Sequence, residues 1–233
     1  MDPDTPKELA RATAETAKLG TKSLKFLERI TGAPLEQLSG LVADEIAFIR
    51  ATRRLTMQKV LDRAQAELES RDGRAERVPL KTLAPLLTES SLEEDDELID
   101  RWASLLANAA DPDAQRKVEA YFVRLMASLT PQEARALQVN YDSRGHEPQV
   151  GQKLVFPPTL GLSEDQVELI KEHLTALGIA TRHLSSQASW DGPSAVVPTS
   201  DVYLSRTGLE FLRACHPPTG ASEGAQRGER ARG

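Results

Sequence analysis

Apolar positions in the first 130 residues recur at spacings of three and four, the helical signature. Leu9, Ala12, Thr16, Leu19, Leu24, Leu27 and Ile30 predict a helix over 6–30, weakened at Gly20. Its stripe is thin, so it should need a partner surface. Thr31-Gly32-Ala33-Pro34 is a break. Leu38, Leu41, Val42, Ile46, Ile49, Met57, Val60, Leu61, Ala64 and Leu68 then predict a long helix over 35–70, with Arg53 in the one gap of the stripe. Gly73 is the expected C′ residue after it. Pro79 stands at the first position of a short helix, Leu80 to Leu87, whose regularity Pro85 should limit. Ser91-Leu92-Glu93-Glu94 reads as a capping box. The helix behind it carries Leu98, Ile99, Trp102, Leu105, Leu106 and Ala109, and ends at Asp111-Pro112-Asp113. Asp113 is placed to cap the next helix, with Val118, Tyr121, Phe122, Leu125 and Met126 as its stripe. Short connections make the helices of 35–128 antiparallel neighbours.

The pattern changes at Leu129. Thr130-Pro131-Gln132-Glu133 is a capping box with Pro at N1, and its helix should run to about Tyr141. Gln152 to Phe156 alternates like a short strand. Ser163-Glu164-Asp165-Gln166 caps a helix that Gly178 ends. Ile179 to Leu184 and Val202 to Leu204 read as two strands around a Ser/Gly/Pro-rich loop over 185–200, and Thr207 to Cys215 as a last helix. Helix, helix, strand, loop, strand, helix is the order of a winged helix-turn-helix. The expected fold is therefore mainly α: an antiparallel helical N-terminal region, then a winged-helix-like α+β domain with a small β-hairpin. The expected division is an N-terminal amphipathic helix (1–31), a helical domain (32–128), a winged-helix-like domain (129–217) and a disordered tail (218–233). That tail has no large apolar residue to offset its ordering entropy.

Composition narrows the function. With 233 residues the chain holds one large domain or two small ones. Aromatics are 4%, too few for a typical β-sandwich. The single cysteine excludes a disulfide scaffold and a cysteine-based zinc site. No apolar run approaches ~20 residues, and Met1-Asp2-Pro3-Asp4 does not open a secretory signal. The expected location is the cytoplasm, with peripheral membrane association as the alternative. Net charge is −6, against the basic balance usual for nucleic-acid binders.

Few residue patterns carry chemistry. Arg50, Arg53 and Arg54 cluster on one or two helical turns: an ordinary solvated or ion-paired face, or a small anion-contacting patch. Glu93 to Glu97 are five acids facing the positive end of a helix dipole. As a divalent-metal site they fail, because consecutive helical residues point in different directions. Trp102 lies mid-stripe and reads as core. Cys215 and His216 are neighbours, but adjacent helical side chains diverge, so Cys215 reads as a small buried apolar residue. His146, His173, His183 and His216 are scattered, without a helical partner four residues on. His146-Glu147 lacks the second histidine of a zinc-protease motif, and neither a nucleophile elbow nor a phosphate loop occurs. No catalytic residue, metal or cofactor is assigned. The helix over 163–177 would enter a groove if the winged helix bound DNA. It carries Glu164, Asp165, Glu168 and Glu172 against one Lys171, the wrong charge for phosphates.

Five segments stand out together: Gly40 to Ile46 through the Arg-rich turn, Val78-Pro-Leu-Lys81, Ser91 to Pro112, Leu129-Thr-Pro-Gln-Glu-Ala134 and Leu204-Ser-Arg-Thr-Gly-Leu-Glu-Phe211. In this order and spacing they resemble the Abi-alpha (abortive infection alpha) family of bacterial proteins. The resemblance covers about residues 20–216. Its most specific stretch is Glu94 to Pro112, with Trp102, Asn108, Asp111 and Pro112 as signature residues of structural character. Asn108 would ordinarily serve as a hydrogen-bonding group at a helix end. The resemblance implies phage defence by abortive infection and brings no catalytic residues. The leading expectation is a non-enzymatic, homo-oligomeric defence protein that works through contacts with a protein partner from host or phage. The alternatives are a membrane-perturbing effector, whose apolar segment 32–49 has basic flanks, and a winged-helix nucleic-acid regulator.

Overall fold

A computed structural model of the chain describes residues 21–32, 51–71, 73–114, 118–143, 145, 147–187 and 195–217. The helix expected over 6–20, the first half of the long helix including Arg50, and the tail over 218–233 lie outside the described residues. Among those described there are eight α-helices and one two-stranded antiparallel sheet, a mainly α fold with a small β-hairpin. The chain divides into two compact units, 1–128 with 214–233, and 129–213. The second unit is thus inserted between two pieces of the first. Residues 214–217, expected in the second domain, belong with the first, because the side-chain amide of Asn108 binds the carbonyls of Ala214 and His216.

In the first unit the helices are α1 (Thr21–Thr31), α2 (Ala51–Ser70), α3 (Leu80–Ser90), α4 (Asp96–Ala110) and α5 (Ala120–Ser128). Phe26, Leu27 and Ile30 of α1 are fully buried, so the described part of this thin stripe is covered within the chain. The Ser23 hydroxyl donates to Asp62 at 2.7 Å, and the Val78 N–H to the Ile30 carbonyl at 2.8 Å. Met57, Val60, Leu61, Ala64 and Leu68 of α2 are buried, as are Leu98, Ile99, Trp102, Leu105 and Leu106 of α4.

Lys59 meets Asp96, Arg63 meets Asp100, Glu67 meets Ser104 and Arg71 meets Asn108. Each pair is separated by 37 residues, so α2 and α4 run side by side in the same direction. Antiparallel packing was the expectation for neighbours in sequence. These two are not consecutive, and residues 71–95 carry the chain back.

The start of α4 differs from the expected capping box. Ser91 is the C-cap of α3, and its hydroxyl turns back to the Thr88 carbonyl at 2.6 Å. The N-cap of α4 is Asp95, whose carboxylate accepts from the N–H groups of Glu97 and Leu98. Glu93 accepts from the N–H groups of Glu94 and Asp95, so only Asp96 and Glu97 stand in the first turn. Pro85 is tolerated inside α3, which continues to Ser90. Pro79 is the N-cap of α3 rather than its first residue. Asp113 does not cap α5: α5 begins at Ala120, and the Asp113 N–H is bound to Asp111.

The second unit holds α6 (Pro131–Asp142), a 3-10 turn (Pro158–Leu160), α7 (Glu164–Ala176), β1 (Ala180–Gln187), β2 (Ala195–Leu204) and the body of α8 (Arg206–Ala214). Both expected capping boxes form, Thr130 with Glu133 and Ser163 with Gln166. Gly178 takes a left-handed φ of 73° and ends α7, where the Ile179 N–H reaches the Leu174 carbonyl. The strands are longer than their composition suggested. Ser185, Ser186 and Gln187 pair with Val197, Val196 and Ala195, and the register shifts between Arg182 and Leu184. Pro198 sits just past that shift, as expected of a residue that cannot donate to a ladder. The strand expected over 152–156 is reduced to one bridge, Lys153 to Tyr203. Backbone bonds from the Leu154 N–H to the Val202 carbonyl at 2.9 Å and from the Leu204 N–H to the Gln152 carbonyl at 2.7 Å still hold the segment to β2, and Asn140 secures its far end. Its side chain accepts from the Val155 N–H and donates to the Val155 carbonyl, each at 2.8 Å.

Gly208 explains part of the Leu204–Phe211 signature. A β-carbon there would lie 2.1 Å from the Ile179 carbonyl oxygen. That oxygen accepts from the Ser205 N–H at 3.0 Å, and the Ser205 hydroxyl caps the Gly208 N–H at 2.8 Å. Gly208→Ala should cost about 3 kcal/mol by urea denaturation, the upper range for overpacking. Gly161→Ala, at a left-handed glycine with no neighbour within 4 Å, should cost about 1–2 kcal/mol. An equal or smaller loss for Gly208→Ala would contradict the close approach.

Candidate functional site

The most developed polar constellation lies in the first unit, where α2 and α4 end. Arg71 is its centre. Its guanidinium donates to Glu67 Oε1 at 2.6 Å, Asn108 Oδ1 at 2.9 Å and Asp111 Oδ2 at 3.5 Å. The Ser104 hydroxyl donates to the second oxygen of Glu67 at 2.7 Å. Asn108 completes the chain of bonds, donating to the carbonyls of Ala214 at 2.8 Å and His216 at 3.0 Å. The side chains of Arg71, Asp111 and Glu67 are only 7%, 9% and 15% exposed. Burial pushes the Glu67 carboxyl above the usual glutamate range, against the opposing hydrogen bond from Ser104 and charge of Arg71.

Local sequence builds this arrangement. Glu67 lies on the last turn of α2 with Arg71 four residues on, just past its end, and Ser104 and Asn108 are one turn apart on α4. The parallel register brings the two rows together. The α2 helix ends just before Arg71, where the Gly73 N–H binds the Leu68 carbonyl at 2.9 Å. A β-carbon on Gly73 would lie 3.1 Å from that carbonyl oxygen. The constellation comprises two carboxylates, one guanidinium, one amide and one hydroxyl, linked through Arg71, Glu67 and Asn108.

The signature residues fall as follows. Trp102 is buried in the core of the first unit, 2% exposed, and its indole N–H finds no partner among the described residues. Asn108 and Asp111 are in the network. Pro112 is exposed beyond the end of α4. Arg50 lies outside the described residues, as does the side chain of Arg54, and Arg53 is half-buried and engaged. The expected arginine patch thus lies largely outside the described residues. Glu67, Arg71 and Ser104 were missed, although charged residues one turn apart beside an apolar stripe were a usable signal. Cys215 is buried, and burial pushes its thiol far up, so it is held as a thiol. Among the described residues no group of three or more His, Cys, Asp or Glu could hold a metal ion.

The second unit has its own tie and its own open surface. His173 Nδ1 lies 2.6 Å from Glu133 Oε1, and Glu133 Oε2 accepts from the Thr130 N–H and hydroxyl. One buried carboxylate thus caps α6 and holds α7. On the outer side of α7, Glu164, Asp165 and Glu172 are exposed, and Leu169 is 66% exposed among them. Lys171 is drawn to Glu168 at 2.6 Å and lies near the Phe156 ring.

Mainly helical, with Asn108 and Asp111 of its signature in a buried network, the chain is of a class best recognised by sequence family. It belongs to the abortive infection alpha family, whose sequence profile matches residues 52–215. It is thus an abortive-infection-related protein. No curated protein and no solved structure matches it.

Arg71→Ala should destabilise the protein by about 3–5 kcal/mol in urea denaturation, because it strips two buried carboxylates of their cation. A loss below about 1 kcal/mol would mean the network is effectively solvated. Glu67 sets a pH dependence. Its folded pKa is raised, so its contribution to stability is fully present below the unfolded value and is lost as pH rises through the folded one. Wild type should therefore lose stability relative to Glu67→Gln as pH is raised from 4 to 7. A difference that stays flat or moves the other way would contradict the burial argument.

Proposed function

We propose that this protein is a non-enzymatic defence protein that acts against phage by binding another protein. The observation that carries this is the outer side of α7. It presents an exposed Leu169 beside the exposed carboxylates of Asp165 and Glu172, with Glu164 exposed at the start of the same helix. In a winged-helix reading of the second unit this helix would face DNA, and its charge opposes the phosphate contacts that supply most of such affinity. An acidic surface with an apolar centre suits a partner that is basic at the rim and apolar at the anchor. Homo-oligomerisation and a cytoplasmic location are part of the proposal. Among the described residues no helix is long and apolar enough to cross a membrane.

The test is phage plaquing efficiency and host survival in cells carrying the gene or an empty vector. Protection with host death is the expected result. The combined variant Asp165→Lys, Leu169→Asp and Glu172→Lys should lose protection while keeping its far-ultraviolet dichroism and melting temperature. Retained protection in that variant would remove this surface from the mechanism. Salt-sensitive binding of purified protein to duplex DNA would favour the nucleic-acid reading, and dye leakage from anionic vesicles the membrane reading. A monomer by light scattering at micromolar concentration would sink the oligomeric part.

A further inference from the structure

We propose that residues 214–216 are a latch, a short segment that the Asn108 carboxamide holds on the helical unit and that opens locally while α2 and α4 stay paired. The topology sets this up. The second unit, 129–213, is inserted in the first, and the chain re-enters the first at Ala214.

Asn108 stands between the segment and the paired helices. Asn108 Nδ2 spends both its hydrogens on the segment, one on the Ala214 carbonyl and one on the His216 carbonyl. Its Oδ1 faces the other way and accepts from Arg71. Arg71 retains Glu67 and Asp111 when the segment leaves, so opening strands no buried cation. The Lys59–Asp96, Arg63–Asp100 and Glu67–Ser104 contacts involve no residue of the segment. What opening exposes is Ala214, Cys215 and His216, each under 10% exposed when closed. Their area is small against the apolar faces of α1, α2 and α4. Segments with few buried contacts open at free energies well below global unfolding.

Cys215 supplies the readout. It is the only cysteine in the chain, sits inside the latch, and is buried with its thiol pushed up by desolvation, so it is unreactive when closed. Labelling of the native full-length protein with a disulfide reagent, followed across low urea concentrations, measures opening directly. The expected wild-type rate depends on urea far less steeply than global unfolding measured by circular dichroism. Asn108→Asp keeps an acceptor for Arg71, removes both donors and sets a carboxylate against two carbonyls. It should speed labelling about 10- to 100-fold while the urea midpoint moves much less. Labelling of wild type with the full slope of global unfolding would overturn the latch, as would an Asn108→Asp rate equal to wild type. If Asn108→Asp does not fold, the wild-type slope decides alone.

Discussion

The first unit is organised by one repeated contact, side chain to side chain across α2 and α4 at a constant separation of 37 residues. Its character changes along the pair. At the beginning of α4, Lys59, Arg63, Asp96 and Asp100 are substantially exposed, where ion pairs contribute little to stability. Lys59 and Arg63 still hold Asp96 below the usual carboxylate range by hydrogen bonding, in the turn where the helix dipole also favours an anion. At the other end Glu67, Arg71, Asn108 and Asp111 are buried. There the polar groups are expensive to desolvate, and a fully bonded arrangement is the condition for their being there at all.

The value of such a network lies in register more than in energy. Slide α4 by one turn so that 67 faces 100, and Glu67 meets Asp100, a like charge already felt across the present spacing. Arg71 then faces Ser104, and Asn108 loses its partner. Slide it the other way and Arg71 faces Pro112, which has no side-chain acceptor, while Arg63 faces Ser104. Apolar side chains alone would tolerate either slip, since apolar residues repeat at the same three-and-four spacing on both helices. A buried polar group that selects one register against near-equal apolar alternatives is the best attested use of such groups.

Sequence reading succeeded where structure is local. The boxes at Thr130 and Ser163 use only the chain within three residues, and both form. It failed at Ser91, where the same pattern was claimed by the helix before it: the hydroxyl reaches Thr88, and Asp95 takes over as cap. Two helices met there, and the pattern could not say which one owned the serine. The strands were read short because Ser, Gly and Pro suggested a loop over 185–200, while cross-strand pairing extends to Gln187 and Ala195. The Glu67–Arg71–Asn108 network was invisible for a different reason. It depends on a pairing between helices that are not consecutive, and no local period encodes that offset. Asn108 was noticed as a helix-end group, but its partners at Ala214 and His216 lie more than a hundred residues away.

In the second unit the polar side chains divide into those with internal work and those without. Glu133 is consumed by Thr130 and His173, and Asn140 by Val155 and Ala136. Lys171 and Arg182 both lie toward Glu168. Glu164 and Asp165 stand in the first turn of α7, and Glu172 is exposed further along it. Asp165 and Glu172 share one helix side with a leucine that is two-thirds exposed. A lone surface leucine is unremarkable. Its place beside Asp165 and Glu172 is a different matter, because the same charges that oppose a phosphate backbone attract a basic partner. The leucine then supplies the apolar burial that charge alone does not. That combination makes protein recognition the economical reading of a helix whose position in the chain suggests DNA and whose charge opposes it.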